Sequence, residues 1–293
     1  MRKTALGWLF FSFLVACSAA MAANDGRFSP FTLGSSSAGT LADKLDGVRN
    51  ALQQNGFQIA GEYAPYDGAH ILIVSNDGMR KAAGNSDMGG YGAAVRVALT
   101  ESEGQVQVSY TSPAWMAQVY RMANDGSAVA NSLKAALGAE KDFGSEGGRT
   151  ADNLRKYHYM MFMPYFDDQV TLAEYGSHQE AVTAVNDALA AGKGGASKVY
   201  QIDVDGKDET LIGVALKQGD GADATVMGVT DSGALKHTAH LPYEMLVSGN
   251  KVYMLHGKFR IAQSFPDLTM GTFMKISAAP DAIEVSLRAA AGK

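Results

Sequence analysis

Two groups of residues in this chain carry the side chains that metal chemistry requires. The first lies in Lys156-Tyr157-His158-Tyr159-Met160-Met161-Phe162-Met163-Pro164-Tyr165-Phe166. Methionine thioether and imidazole together suit copper, above all the cuprous ion, because soft donors select it. In an extended chain His158, Met160 and Phe162 share one face, and Tyr159, Met161 and Met163 the other. Neither face then offers the three ligands of a tight site. Methionine and aromatic side chains also fill irregular gaps between packed elements. The preferred reading is therefore an inter-domain strand that plugs the core.

The second group is His237, His240 and His256. A hairpin turning at Gly249-Asn250 would bring His256 near Leu241 to Tyr243 and make the three imidazoles neighbours. A one-residue slip in register turns His256 to the other face. Neutral imidazole binds zinc or copper, yet no carboxylate or open coordination position accompanies the three. Hydrogen-bonded structural histidines are the simpler expectation, so copper or zinc stands as the alternative and no other cofactor is expected. A third set is aromatic. Tyr110 and Trp115 sit where a strand feeds a helix, and with Phe259 they could line an apolar groove, although core packing accounts for them as well.

The remaining motifs are weak. Asp203, Asp205, Asp208 and Glu209 surround Gly206 without the ordered ligands of an EF-hand, and Asp167-Asp168 reads as a solvated turn. Gly89 to Gly92 is glycine-rich but opens a strand. There is no GxSxG elbow, Walker loop, HExxH or CxxC, so no catalytic residue is assigned and an enzyme is the less favoured reading.

The elements that must position these residues come in two passes. Ser109 to Tyr120 matches Met254 to Phe265 in pattern, with Ala-Gln identical and an aromatic two residues later. Such self-similarity marks an internal duplication. In the first pass Phe28 to Leu33 reads as a strand. Thr40 caps a helix whose Leu41, Leu45, Val48 and Leu52 recur on one face. Strands follow at Phe57 to Tyr63, His70 to Ser75, Gly92 to Thr100 and Gln105 to Thr111, and Pro113 opens a helix. In the second pass a strand at Gln169 to Leu172 leads to a capping box at Ser177 and Glu180. Strands are expected at Lys198 to Val204, Glu209 to Leu216, Thr225 to Thr230, His240 to Val247 and Lys251 to His256, before a closing helix from Pro280. The expected class is α+β: two tandem strand-helix-strands-helix repeats, each a curved antiparallel sheet packed on helices. The segments are 1–22 as an export signal, 23–39 as tether and first strand, 40–138 as the first repeat, 139–165 as a Gly-rich and Met/aromatic linker, and 166–293 as the second repeat.

Two stretches, Ala51-Leu52-Gln53-Gln54-Asn55-Gly56-Phe57 and Val108-Ser109-Tyr110-Thr111-Ser112-Pro113, carry a family likeness. Over residues 40–138 the chain resembles the small domain of unknown function called DUF 302, and the second half matches only as a divergent copy. The family's loop between its middle strands is poorly matched. The resemblance implies a helix on a curved antiparallel sheet, as in TATA-binding-protein-like folds. It implies no activity, because the family has none agreed, and an apolar groove between sheet and helix follows from fold analogy alone.

Arg2 and Lys3, the apolar run Ala5 to Ala16 and Ala20-Met21-Ala22 read as a signal peptide with its cleavage site. Leu14-Val15-Ala16-Cys17 reads alternatively as a lipobox that would place a lipid on Cys17. Both routes lead to the periplasm. Cys17 is the only cysteine, so stability must come from an ordinary core. Loss of Arg2 and Lys3 takes the formal charge from −5 to −7, and no Lys/Arg cluster offers a phosphate-tracking face. Nucleic acid is excluded as an expected partner, and the membrane enters only through Cys17. The expectation is an exported envelope protein that binds a small apolar ligand or an envelope protein without catalysis, with copper or zinc binding as the alternative.

Overall fold

The computed structural model describes residues 26–293. The expected signal peptide and Cys17 lie outside the described residues. A short ribbon of β1 (Arg27–Phe28) and β8 (Arg149–Thr150) ties the start of this region to the middle of the chain. The first sheet holds β2 (Phe31–Ala38), β3 (Gln58–Tyr63), β4 (Ala69–Ser75), β5 (Val95–Ser102), β6 (Gln105–Thr111) and β7 (Lys141–Phe143). Its order is β3-β4-β5-β6-β2-β7, with every neighbour antiparallel. The β5–β6 hairpin turns on Glu103 and Gly104, both at positive φ, which matches the twist of the flanking strands.

The second sheet holds β9 (Val170–Glu174), β10 (Ala196–Asp203), β11 (Glu209–Leu216), β12 (Tyr243–Ser248) and β13 (Lys251–Met254), in the order β10-β11-β12-β13-β9. This repeats the β3-β4-β5-β6-β2 order of the first sheet. Helices α1 (Leu41–Gln54) and α6 (His178–Ala190) occupy matching places, as do α3 (Pro113–Val119) and α8 (Gly257–Ala262). The α+β class and the tandem repeats hold as structure.

Each sheet covers its outer face with its own helices. In the first half α1 and α4 (Ser127–Leu137) bury Leu52, Leu133 and Leu137 against Val95, Val97 and Leu99. Thr40 and Asp43 form the capping box that starts α1. In the second half α6 and α10 (Ala279–Ala290) play the same part. Ser177 accepts the Glu180 N–H as expected, but the Glu180 carboxylate reaches back to the Gly176 N–H, one residue further out.

The inner faces share one core through a reciprocal clasp. The β4–β5 connection, α2 (Asp77–Gly84) and a single turn at Gly89–Gly92, packs that turn on β11 and β12. The β11–β12 connection, α7 (Asp223–Thr230) and a turn at Thr238–His240, packs its turn on β4, β5 and β6. At the centre Arg96 of β5 meets Glu244 of β12, with both side chains buried. Arg260 of α8 donates to the other Glu244 oxygen at 3.4 Å, and the Tyr200 hydroxyl donates to Glu244 at 3.0 Å. Tyr200 reaches that far because it lies over Gly213, where any Cβ would overlap its ring.

Several expected elements are redrawn. Thr225 to Thr230 is not a strand but most of α7, whose Val and Thr residues suggested β structure. The run is too short for periodicity to decide. One face of this helix is buried, through Asp223, Val226, Met227 and Thr230, and the Thr230 hydroxyl donates to the Val226 carbonyl at 2.9 Å. Gly92 lies in the turn before β5 rather than in the strand. In the segment expected as tether and first strand, the strand is β2, an interior strand that runs on to Ala38, and the supposed linker supplies β7, β8 and α5 (Ala151–Arg155). Lys156 to Phe166 forms turns rather than a strand. Tyr157 and Phe166 are buried, but Met160, Met161 and Phe162 face solvent, so the gap-filling reading fails for Met160 and Met161. Helix α9 (Met270–Lys275) completes the chain's elements.

The buried cluster makes a specific prediction. Arg96→Met leaves Glu244 short of one cation and should cost about 3–5 kcal/mol. Adding Glu244→Leu should not recover that loss, because Arg260 is then left buried without its anion. Urea denaturation of the two variants measures this, and a single-variant loss below about 1 kcal/mol would mean the cluster does not hold the halves together.

Candidate functional site

Where β7 leaves the first sheet, the chain borders a cavity of about 490 Å³ between the two halves. Phe143 and Gly144 form one wall, Thr230 and His237 a second, and Phe265 and Leu268 a third. The chemistry there centres on His237. Asp231, just past the end of α7, accepts the His237 backbone N–H at 2.9 Å and lies 3.2 Å from its Nδ1. Asp231 is the acceptor of this pair, which leaves Nε2 as the free ring atom. The imidazole stacks on Phe265 at 5.0 Å and meets Phe31 and Phe143 edge-on at 5.1 and 5.4 Å. A Cβ at Gly144 would lie 3.0 Å from Nε2, and Gly144 sits at φ +94°, so glycine is required beside the ring. The result is an oriented imidazole at an apolar wall. An ion pair between Arg149 and Asp267 at 2.8 Å stands at the rim.

The other two histidines are committed elsewhere. His240 is fully buried. Its Nδ1 accepts from Arg260 at 2.9 Å, and its Nε2 is 3.3 Å from the Tyr243 hydroxyl. Burial, followed by the charges of Arg260 and Arg96, pushes its pKa well below the usual histidine value. His256 caps α8 by accepting the Lys258 N–H at 3.2 Å, and burial, with Lys258 adding to it, lowers its pKa. His237 and His240 flank opposite contacts of Phe265, but His256 does not join them. Among the described residues no group of three or more His, Cys, Asp or Glu side chains could hold a metal ion. His158 packs on Tyr165 at 4.5 Å with its Nδ1 unpartnered, and Met160 stands at the surface nearby.

The aromatic set divides. Trp115 and Phe259 lie in the shared core, joined through Tyr157 at 6.4 and 6.2 Å. Tyr110 belongs to the separate core under α1 and α4, and its hydroxyl donates to the Gly138 carbonyl at 2.9 Å. All three are buried, so they do not line a common groove. His237 was singled out by the sequence for the wrong neighbours. Asp231, Gly144 and Phe265 reach it only through packing between distant segments, and no local spacing signals that.

A second buried group joins the halves. Asp223 accepts from the Tyr63 hydroxyl at 3.2 Å and from the Leu216 N–H at 3.3 Å, while its other oxygen has no partner. Burial pushes its carboxyl up to about 7, and the two hydrogen bonds only partly oppose it. In comparisons with known proteins, no family model, no curated protein and no solved structure matches this chain.

Asp223 gives a pH dependence of definite sign. Below about pH 4 the group is protonated in both folded and unfolded chains and has no effect. As pH rises from about 4 to about 7 only the unfolded chain ionises, so the folded state loses stability. Above that the loss is complete. Asp223→Asn keeps the acceptor for Tyr63 and Leu216 but cannot ionise. Its stability relative to wild type should climb over that interval and then level off, at about 1.4 kcal/mol per pH unit. Thermal unfolding across the range checks this, and parallel curves for the two proteins would refute it.

Proposed function

We propose that this is an exported envelope protein that binds one small amphipathic molecule, without catalysis, in the cavity beside His237. The observation that carries the reading is the oriented imidazole at an apolar wall. Phe143, Phe265 and Leu268 suit an apolar body, and His237 Nε2 suits a hydroxyl or similar polar end. A volume of about 490 Å³ accommodates a quinone-sized head group or part of a lipid. Export rests on the N-terminal pattern of Arg2, Lys3 and the apolar run, and a DUF 302-like origin for residues 40–138 belongs to the same proposal.

Native mass spectrometry of protein from the envelope, followed by thermal-shift titration with quinones and lipids, tests the reading. A ligand that fits should bind His237→Ala about tenfold more weakly, the worth of one buried hydrogen bond. Thr272→Trp, which puts a large ring in place of a small lining side chain, should abolish the shift. No retained mass and no shift with wild type would end the proposal. Stoichiometric copper or zinc in the same sample would move the assignment to metal binding.

A further inference from the structure

The chain carries 14 methionines, and the structure sorts them by access. Met79, Met116, Met122, Met227, Met245 and Met254 are buried, and Met88 and Met163 are half-buried. Among the described residues the exposed ones are Met160, Met161, Met270 and Met274. All four lie on two segments, the turn after α5 and helix α9. The Tyr159 ring stacks on Phe273 at 6.1 Å and its hydroxyl donates to the Leu268 carbonyl, which joins those segments. Met270 and Met274 are four apart and so share a helix face. Phe162 and Tyr165, also exposed, belong to the same turn as the first pair.

A thioether has no proton to lose before it reacts, so access separates one methionine from another when an oxidant arrives. The buried ones are tied into the core. The Met116 sulfur accepts from the Arg96 guanidinium at 3.9 Å, and Met122 packs against Gly92. An oxygen added there requires a local opening first and then disrupts packing. The exposed four belong to neither core. Met161 is 74 % exposed, Met274 61 %, Met270 44 % and Met160 37 %. The Met160 carbonyl does close the turn, accepting the Met163 N–H at 3.0 Å, but oxidation at sulfur leaves the backbone unchanged.

We propose that Met160, Met161, Met270 and Met274 form one oxidation site, which hydrogen peroxide converts from an apolar patch to a polar one while the fold persists. In each event a sulfur lone pair attacks one peroxide oxygen and the O–O bond breaks. The other oxygen takes up the proton of the first and leaves as water. The thioether becomes a sulfoxide, oxidised by two electrons, and the peroxide is reduced by two. A thiol-dependent sulfoxide reductase reverses the change, with a disulfide and water as its products. The site does not depend on the cavity reading above.

The test is treatment of the full chain with hydrogen peroxide under native conditions, with each methionine followed by peptide mapping and mass spectrometry. Met161 and Met274 should oxidise first, then Met270 and Met160. The buried methionines should react at least about tenfold more slowly, because an opening populated in no more than one molecule in ten must come first. With the four oxidised, Tm should move by less than about 2 °C, the size of a surface substitution. Retention on a hydrophobic column should fall, and sulfoxide reductases of both epimer specificities, supplied with dithiothreitol, should restore it. Met160→Leu, Met161→Leu, Met270→Leu and Met274→Leu together should abolish the retention change and leave Tm in place. A quadruple variant that still loses retention under peroxide would overturn the assignment. So would Met116 or Met254 oxidising as fast as Met161, or a fall in Tm once the four are oxidised. Protection of the four in native protein that urea removes would also overturn it, and would assign the patch to an interface between copies of the chain.

Discussion

The structure depends on the carboxylate of Glu244. It is buried between two guanidinium groups, Arg96 from the first half and Arg260 from the second, and it also accepts from Tyr200. A lone charge in such a place would be strongly disfavoured, so each member enforces the presence of the others. The arrangement fixes β5 against β12, and the rest of the shared core forms around that register. It also makes the two repeats inseparable. An isolated first half would carry Arg96 without its anion, and an isolated second half would keep Glu244 beside only one cation. The duplication looks modular in strand order yet is joined at a point that neither copy can satisfy alone.

This buried network also explains which histidines are free to act. Arg260 donates to the ring of His240 and to the carbonyls of His240 and Pro242, so that imidazole is part of the scaffold. His237, three residues earlier, is held from the other side by Asp231 and keeps one ring nitrogen toward the cavity wall. Two histidines that look equivalent in sequence therefore have opposite characters, set by which charged partner each reaches.

Much of the architecture was legible in the sequence because it rests on local rules. Thr40 and Ser177 announce their helices, Leu41 to Leu52 show a clear 3.6-residue stripe, and Gln105–Thr111 and Glu209–Leu216 are strands over the expected limits. The Ala-Gln repeat pointed to the duplication that the two strand orders display. Failures came where tertiary contact overrides local preference. The Val and Thr of α7 are helical because both halves pack on that segment. Phe31–Ala38 is an interior strand although its Gly34-Ser35-Ser36-Ser37 run is a composition typical of tethers. Trp115 and Tyr110, five residues apart, point into different cores because the chain changes from strand to helix between them. The cavity was invisible, since Gly144, His237 and Phe265 are far apart in sequence.

The reciprocal clasp has a consequence for stoichiometry. Each half sends its connection between the two middle strands across the other sheet, so two equivalent corners exist. At one, the second half's connection leaves the space beside His237. Beside the first half's connection, Met122 packs against Gly92, and the space there is only about 30 Å³. The two halves share a strand order, yet the spaces beside their crossing connections differ in size and lining, so a repeated scaffold need not carry two equal sites.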